Sequence, residues 1–194
     1  MNVVAIDKLD DKDLIARYRK GDVSALDVLV QRYRRQLFGY ILSMSVSASD
    51  ADEIFQEAWL KVIKKIRLYR HNNFLGWLIR ITHNVIIDKI RRKKPNISMD
   101  AEHNDGGSLA SVLPDDGPAP ADDIQNRDLA NAISSAVSML PDEQKEVFIL
   151  RTKMEISFKE IAKIQKTSIN TSLARMQYAL SKLREPLQEA YDEL

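Results

Sequence analysis

Hydrophobic residues recur at i, i+3 and i+4 spacing through the first half of the chain, which predicts amphipathic helices. In the clearest case, over about 24–44, Leu26, Leu29 and Tyr33 share one face. No stretch alternates apolar and polar residues long enough to predict a β-strand. The first predicted helix has a cap at Asp10 or Asp11 and a stop at Gly21. The second runs from about Ser24 to Met44, the third starts near Ser49 or Asp50, and the fourth occupies about Phe74 to Lys93.

The helical pattern disappears between Pro95 and about Pro120, where proline, glycine, serine and aspartate dominate. Such a segment cannot bury enough apolar surface to offset the entropy cost of ordering it. Helical spacing returns at Ile124 and continues to Leu140. The pattern predicts an all-α protein of two small helical domains joined by a flexible acidic linker. The predicted units are a first domain over 8–94, the linker over 95–122 and a second domain over 123–188.

The second helical segment contains a short and a long helix separated by a tight break. Pro141 fits the first turn of an amphipathic helix. Ser157 and Glu160 form a capping box for the short helix, and Asn170 can cap the long helix after a break at 166–168. The stripe expected to be buried on the long helix is Leu173, Met176, Leu180 and Leu183. This order is typical of a helix-turn-helix that enters a major groove, although an ordinary three-helix bundle has the same pattern.

Charge is distributed unevenly along the chain. Residues 1–94 hold 19 lysines and arginines against 11 acidic residues, residues 95–141 hold one against 8, and residues 142–194 hold 9 of each. A basic first half favours a polyanionic partner. A solvated surface whose charges merely segregate would give the same counts.

Composition narrows the class of protein. The absence of cysteine excludes disulfides and thiolate-bound metals. Apolar runs such as Val85–Ile87 are too short to span a bilayer, and the N-terminus lacks a signal-peptide pattern, so we expect a cytoplasmic protein without membrane insertion. We expect no metal, cofactor, small-molecule substrate or enzymatic activity, because His71, His83 and His103 lack metal-ligand spacing and no phosphate-binding or nucleophile motif occurs.

Three segments have distinctive sequences. Residues 50–60 read DADEIFQEAWL, residues 74–94 read FLGWLIRITHNVIIDKIRRKK, and residues 140–151 read LPDEQKEVFILR, followed by ISFKEIA at 156–162. Together they resemble the extracytoplasmic-function (ECF) subgroup of the sigma-70 family of RNA polymerase sigma factors. In that family the first resembles the polymerase-binding helix of region 2, the second the helix that follows it, and the third the region 4 helix-turn-helix. The resemblance covers about 24–94 and 124–184, and the chain has no room for the large middle domain of housekeeping sigma factors.

The resemblance implies a non-catalytic subunit that binds core RNA polymerase and directs promoter-specific transcription initiation. The first domain would recognise and melt the −10 element, and the second would bind the −35 element. The implied partners are the β′ clamp helices and the β subunit of core polymerase, promoter DNA and an anti-sigma factor. The acidic linker would thread toward the RNA exit path of polymerase.

The resemblance also places three sets of site residues. Core polymerase binding is expected at Asp52, Glu53, Gln56, Glu57 and Leu60. Contacts with the −10 element are expected at Arg70, His71, Asn72, Asn73, Arg80, His83, Asn84, Arg91, Arg92 and Lys93. Projection of the long C-terminal helix places the −35 contacts at Asn170, Thr171, Ala174, Gln177 and Tyr178, with Arg175 on the flank.

Physical reasoning supports these sets but leaves simpler interpretations open. The polymerase-binding strip lies opposite a predicted apolar stripe, whereas the helix dipole alone also favours acidic residues in a first turn. Basic residues at 91–94 suit phosphate contacts or simply a solvated helix C-terminus. Trp77 is expected in the core rather than at a ligand. The predicted apolar stripe of the third helix is Ile54, Phe55, Ala58, Trp59, Val62, Ile63 and Ile66.

The sequence departs from the family in the helix-turn-helix. Lys166 and Ser168 stand where the family usually has glycine and proline in the turn. Leu173 and Tyr178 occupy positions that are often basic, whereas Arg175 matches. The −35 sequence that this helix reads therefore does not follow from the resemblance. The alternative function is a DNA-binding regulator that is not a polymerase subunit, but no ligand-binding or phosphoacceptor domain is evident.

Overall fold

The computed structural model describes residues 6–44, 46–70, 73–93 and 123–192, and every regular element in these ranges is helical. The helices are α1 (Asp11–Arg19), α2 (Ser24–Ser43), α3 (Ala48–Lys65), α4 (Phe74–Lys93), α5 (Asp123–Ser138), α6 (Asp142–Thr152), α7 (Phe158–Ile164) and α8 (Ile169–Asp192). A 3-10 turn at Ile66–Leu68 follows α3. The all-α prediction is confirmed, and the predicted linker lies outside the described residues.

The first helices are capped much as their sequence predicts. Asp10 caps α1, since its Oδ1 accepts from the Asp13 amide at 2.8 Å, and Gly21 takes a φ of +99° just after the helix. Helix α3 starts at Ala48, close to its predicted start near Ser49 or Asp50. Ser47 has extended backbone and accepts from the Asp50 amide at 3.3 Å, so Ser47 is the cap.

The turn between α7 and α8 is closed by three local features. Ser157 caps α7 as predicted and accepts from the Glu160 amide at 3.3 Å. Lys166 adopts a φ of +54°, and the next amide, of Thr167, donates to the Ala162 carbonyl at 2.9 Å, which is a Schellman closure. Asn170 is not the cap of α8. Ser168 takes that role, because its Oγ accepts from the Thr171 amide at 3.0 Å and leaves Asn170 in the first turn.

Helices α1–α4 enclose one hydrophobic core. Leu14, Leu29, Leu37, Ile54 and Leu78 are fully buried in it, which confirms the predicted apolar face of α2 and most of that of α3. An aromatic group lies within this core close to the start of α4. Its members are Tyr33, Trp59, Tyr69, Phe74 and Trp77, with neighbouring ring centroids 4.8–6.4 Å apart. The core prediction for Trp77 is therefore confirmed.

Helix α6 has two buried faces. Ile149 joins Val137 of α5, Leu140 of the loop that follows, and Ala179 and Leu183 of α8 in a separate small cluster. On its other face, Val147 and Leu150 belong to the same core as α1–α4, together with Ile161 and Ile164 of α7. Helices α5–α8, the second helical group, therefore pack directly against α1–α4, the first helical group.

Candidate functional site

The outward face of α3 carries the residues predicted to bind polymerase. Asp52, Glu53 and Gln56 are exposed, Leu60 is 56% exposed, and Glu57 is half-buried. The buried residues of the helix are Ala51, Ile54, Ala58, Trp59 and Val62. Ile63 does not belong to the buried stripe as predicted. It is 37% exposed, because it lies one residue past Val62 and turns toward the side that carries Leu60.

Two carboxylates of this strip already have basic partners. Glu53 accepts from the Lys89 ammonium at 2.5 Å, and Asp50 lies 3.0 Å from the same nitrogen. Glu57 pairs with Lys61 at 2.8 Å, one turn along the helix. The bonds to Lys89 fasten α3 to α4, whereas the Glu57–Lys61 pair lies within α3. Asp52, Gln56 and Leu60 form the most outward part of the strip.

The segment between α3 and α4 is anchored from beneath. Arg19 donates to the Ile66 carbonyl at 3.0 Å and also to the Tyr69 carbonyl. Burial raises the pKa of Tyr69 to about 12, with the charge of Asp11 adding to the effect and that of Arg19 opposing it. Sequence reasoning missed Arg19, since nothing local relates it to a carbonyl 47 or 50 residues away.

Arg70 and Asn73 are exposed in this segment, whereas His71 and Asn72 lie outside the described residues. Asn73 has a structural role, because its Oδ1 accepts from the Gly76 amide at 2.9 Å at the start of α4. A Cβ at Gly76 would lie 2.9 Å from the side-chain nitrogen (Nδ2) of Asn73 and would push against the side chain that caps the helix, which explains why glycine stands at this position. Asn73, which is predicted to contact DNA, therefore also caps helix α4.

The outer face of α4 carries three exposed arginines, Arg80, Arg91 and Arg92. Asn84 lies on the same side, half-buried, and donates to the Arg80 carbonyl at 2.6 Å. Lys93 ends the helix. From Ala58 on α3 to Ile87 on α4 the chain has six lysines and arginines and no acidic residue, so this part of the first domain suits a polyanion.

His83 is not on the open part of this face as predicted. Its side chain is only 12% exposed, and its Nδ1 lies 2.7 Å from a carboxylate oxygen of Glu146 on α6. The second helical group covers it, a contact that a projection of α4 alone could not include. Tyr40 donates to the same Glu146 oxygen, and Gln165 donates to the other at 2.8 Å.

Glu146 is a buried residue that sequence reasoning missed. Burial acts to raise its pKa, but hydrogen bonds from His83, Tyr40 and Gln165, together with the charge of His83, hold the pKa below its ordinary value of 4.5. The carboxylate is therefore ionised in the interior. The available signal was its position four residues before the buried Leu150, which places it on an apolar side of α6.

Helix α8 presents most of its predicted −35 set to solvent. Asn170, Gln177 and Tyr178 are exposed, and Thr171 and Ala174 are half-buried. Arg175 is half-buried and donates to the Gln165 side chain at 2.7 Å, with Glu143 at 3.7 Å. Arg175 thus lies on the flank, as projected.

The predicted buried stripe of α8 is partly wrong. Leu183 is buried and Met176 half-buried, but Leu173 and Leu180 are 40% and 50% exposed. Ser172 and Ala179 are fully buried in their place. Small side chains let α8 approach its neighbours closely, and a search for large apolar residues misses them.

Helices α7 and α8, joined by the turn at 165–168, have the order of a helix-turn-helix. Across the described ranges, no group of three or more His, Asp or Glu side chains is arranged to hold a metal ion. Nor does this part of the chain contain a helix long and apolar enough to cross a membrane.

Comparison of the sequence and the fold with those of known proteins shows which family the chain resembles. The Sigma-70 region 2 family matches residues 29–95. The ECF RNA polymerase sigma factor SigW of Bacillus subtilis is 31% identical over 181 residues, which cover 92% of this chain and 97% of that protein. The ECF RNA polymerase sigma-E factor of Haemophilus influenzae is 28% identical over 177 residues, covering 88% and 91% of the two chains. The solved structure of the sigma factor RpoE in complex with the anti-sigma factor NepR from Bartonella quintana has a similar fold, with a TM-score of 0.62 at 20% identity over 84% of this chain and 96% of RpoE.

The chain belongs to the ECF sigma factors of the sigma-70 family. Sigma factors are non-catalytic subunits for transcription initiation, so the surfaces described above are binding surfaces rather than an active site.

Proposed function

We propose that this ECF sigma factor binds core RNA polymerase through α3 and directs it to promoters whose −10 and −35 elements are bound by α4 and α8. The observation that carries the proposal is the 31% identity to SigW over nearly the whole length of both chains. The exposed strip on α3, the basic face of α4 and the outward face of α8 support it in detail.

The polymerase-binding surface consists of Asp52, Glu53, Gln56, Glu57 and Leu60. Acidic and amide side chains surround one exposed leucine here, a combination that gives both charge complementarity and an apolar anchor. Its partners are the β′ clamp helices, with the β subunit contacting other parts of the bound protein.

The −10 surface consists of the segment at 70–73 and the outer face of α4. Exposed Arg70, Arg80, Arg91 and Arg92 suit phosphates, and Lys93 adds a further charge. Asn73 and Asn84, with His71 and Asn72, supply groups that pair with unpaired base edges. His83 joins this surface when α6 moves away from it.

The −35 surface is the exposed side of α8. Asn170 and Gln177 carry amides that suit adenine, while Ala174 suits a thymine methyl group. Thr171 and Tyr178 complete the surface, and Arg175 on the flank suits a phosphate.

The proposed domains are region 2 over 8–94 and region 4 over 123–188, with an acidic linker over 95–122. A net charge of −7 over 95–141 suits a channel that otherwise takes RNA. We further propose that the protein works in the cytoplasm and is controlled by an anti-sigma factor, in keeping with the RpoE–NepR complex.

Runoff transcription tests the proposed function. Core RNA polymerase is supplied with a library of promoter fragments, with and without the purified chain. We expect discrete transcripts only when the chain is present, and a DNA-binding regulator would instead leave core polymerase unable to initiate specifically. The same chain without core polymerase is the control.

A further inference from the structure

A buried polar cluster joins the two helical groups. Tyr40 and His83 come from α2 and α4, and Glu146 and Gln165 come from the second group. Glu146 is 2% exposed, and its two oxygens have contacts with Tyr40, His83 and Gln165. Burying a carboxylate without such partners costs several kcal/mol, so the cluster fits this one arrangement of the two groups.

Apolar contacts surround the cluster. Val147 and Leu150 of α6 and Ile161 and Ile164 of α7 are buried in the core of the first helical group. The contact therefore combines buried apolar side chains with a specific buried hydrogen-bonded cluster. We refer to this arrangement of the two groups as the closed form.

The closed form constrains residues from both proposed DNA surfaces. His83 of the −10 surface is covered and bonded to Glu146. From Glu146 the chain of hydrogen bonds continues through Gln165 to Arg175 on α8, with a Gln165–Arg175 distance of 2.7 Å. One buried carboxylate thus holds a −10 residue directly and a −35 residue through a single amide.

The dimensions of a promoter are incompatible with the closed form. The centres of the −10 and −35 elements lie about 25 base pairs apart, or about 85 Å at about 3.4 Å per pair. Helix α8 has 24 residues and a length of about 36 Å. Two helical groups in direct contact cannot reach both elements of one straight duplex.

We propose that Glu146 is the centre of an intramolecular latch that holds the free protein in the closed form, and that promoter binding requires this latch to open. The role of the latch in promoter binding rests on the proposed function. The existence of the latch does not, and the two can be tested separately.

The first experiment measures the distance between the two groups without polymerase or DNA. The chain has no cysteine, so the exposed Lys64 and Lys182 can be replaced by cysteine and spin-labelled specifically. We expect a narrow, short distance distribution for the parent protein. Glu146→Ala leaves Tyr40, His83 and Gln165 without their shared acceptor, so the closed fraction relative to the open fraction should fall at least about tenfold.

Two further variants keep this experiment decisive. Glu160→Gln, which changes a carboxylate bonded to Lys163 within α7, should keep the parent distribution. Tyr40→Phe removes only one hydroxyl, so it should raise the open fraction by less than Glu146→Ala does. If circular dichroism shows that Glu146→Ala is poorly folded, Tyr40→Phe takes its place as the test of the latch. A parent distribution that is already broad, or no change in Glu146→Ala and Tyr40→Phe, would overturn the latch.

The second experiment measures the affinity of the free protein for a duplex that carries both elements. If the latch masks the DNA surfaces, Glu146→Ala should bind about tenfold more tightly than Glu160→Gln, in line with its loss of closed form. Opened labels with unchanged affinity would overturn the masking role. If neither the parent chain nor any variant supports specific transcription in the runoff assay, while the labels behave as expected, the proposed function is wrong and the latch stands.

Discussion

Lys166 occupies a backbone conformation that favours glycine. Its φ of +54° lies in the left-handed region, where a side chain costs about 1–2 kcal/mol, and Thr167 still closes the turn onto Ala162. The family's usual glycine at this position is thus replaced without loss of the turn geometry. The tight break of the helix-turn-helix survives the substitution at some cost in stability.

Lys166→Gly should therefore stabilise the protein. Relief of the left-handed strain is partly offset by the greater entropy of glycine in the unfolded chain, so we expect a gain of about 0.5–1 kcal/mol in the free energy of unfolding. Urea denaturation measures it. Lys163→Gly, at an exposed position in the last turn of α7, is the control and should lose up to about 1 kcal/mol. A loss in both variants would show that Lys166 makes a compensating contact.

Gln177 and Arg175 should have different effects on DNA binding because of where they lie. Gln177 is on the exposed face of α8, so Gln177→Ala should relax preference at one or two −35 positions, at a cost of about 1–3 kcal/mol on the best site. Arg175 lies on the flank, held by Gln165, and Arg175→Ala should weaken all sites alike and reduce the salt slope by about one unit.

Binding across a randomised −35 library at two salt concentrations separates these effects. Ser181→Ala, one turn further along the exposed face, is a suitable control. A sequence-selective loss from Arg175→Ala, with none from Gln177→Ala, would mean that the two roles are reversed.

At the scale of elements, the helices follow from local signals in the sequence. Asp10 and Ser157 cap their helices as predicted, because a short polar side chain before an amphipathic run satisfies the first free amides. The start of α8 was predicted two residues late, since Ser168 and Asn170 are both good caps and sequence alone does not rank them. The buried face of α8 was predicted only in part, because Ser172 and Ala179 carry no strong hydrophobic signal.

The strip on α3 gives a test of polymerase binding that leaves the helix intact. Glu53→Lys would place the new lysine beside Lys89, which now binds Glu53, and would disturb the contact between α3 and α4. Asp52 and Gln56 are therefore better targets. Asp52→Lys with Gln56→Lys should reduce affinity for core polymerase at least about tenfold, because lysines replace an acidic and an amide side chain of the proposed contact, while the buried face of α3 is unchanged.

Co-purification with core polymerase at moderate salt measures this effect. Asp27→Lys, an equally exposed acidic position on α2, is the control for a general change in charge. Retention of the α3 double variant on core polymerase would place the docking surface elsewhere. Helical content by circular dichroism should match the parent chain in both variants.

At the scale of the whole molecule, the contact between the helical groups is the feature that sequence could not predict. Tyr40 and His83 are 106 and 63 positions away from Glu146, so no periodicity or motif relates them. His83 was expected among the −10 contacts, and it does lie outside the hydrophobic core of α1–α4. A second group of helices covers that position, and only tertiary packing decides whether an outward residue meets solvent or protein.

The closed form should open in acid because of Glu146. Although burial raises the pKa of this carboxyl, the hydrogen bonds and the charge of His83 keep it below 4.5, so the closed form binds fewer protons here than the open form. The stabilisation is therefore complete above about pH 4.5 and is lost as the pH falls through the lowered pKa. The facing groups are Tyr40, whose pKa burial raises further, His83 and Gln165, with Arg175 and Glu143 one contact beyond.

The spin-label distance, followed from pH 8 to pH 3 with helical content as a check on folding, measures this opening. We expect the closed distribution to be lost as the pH falls through the lowered pKa of Glu146, and Glu146→Gln should remove that transition because an amide does not titrate in this range. His83→Gln should move the transition to higher pH, since burial still raises the carboxyl pKa while the hydrogen bond and charge of His83 that lower it are gone. An acid transition that is the same in Glu146→Gln as in the parent protein would assign the opening to other groups.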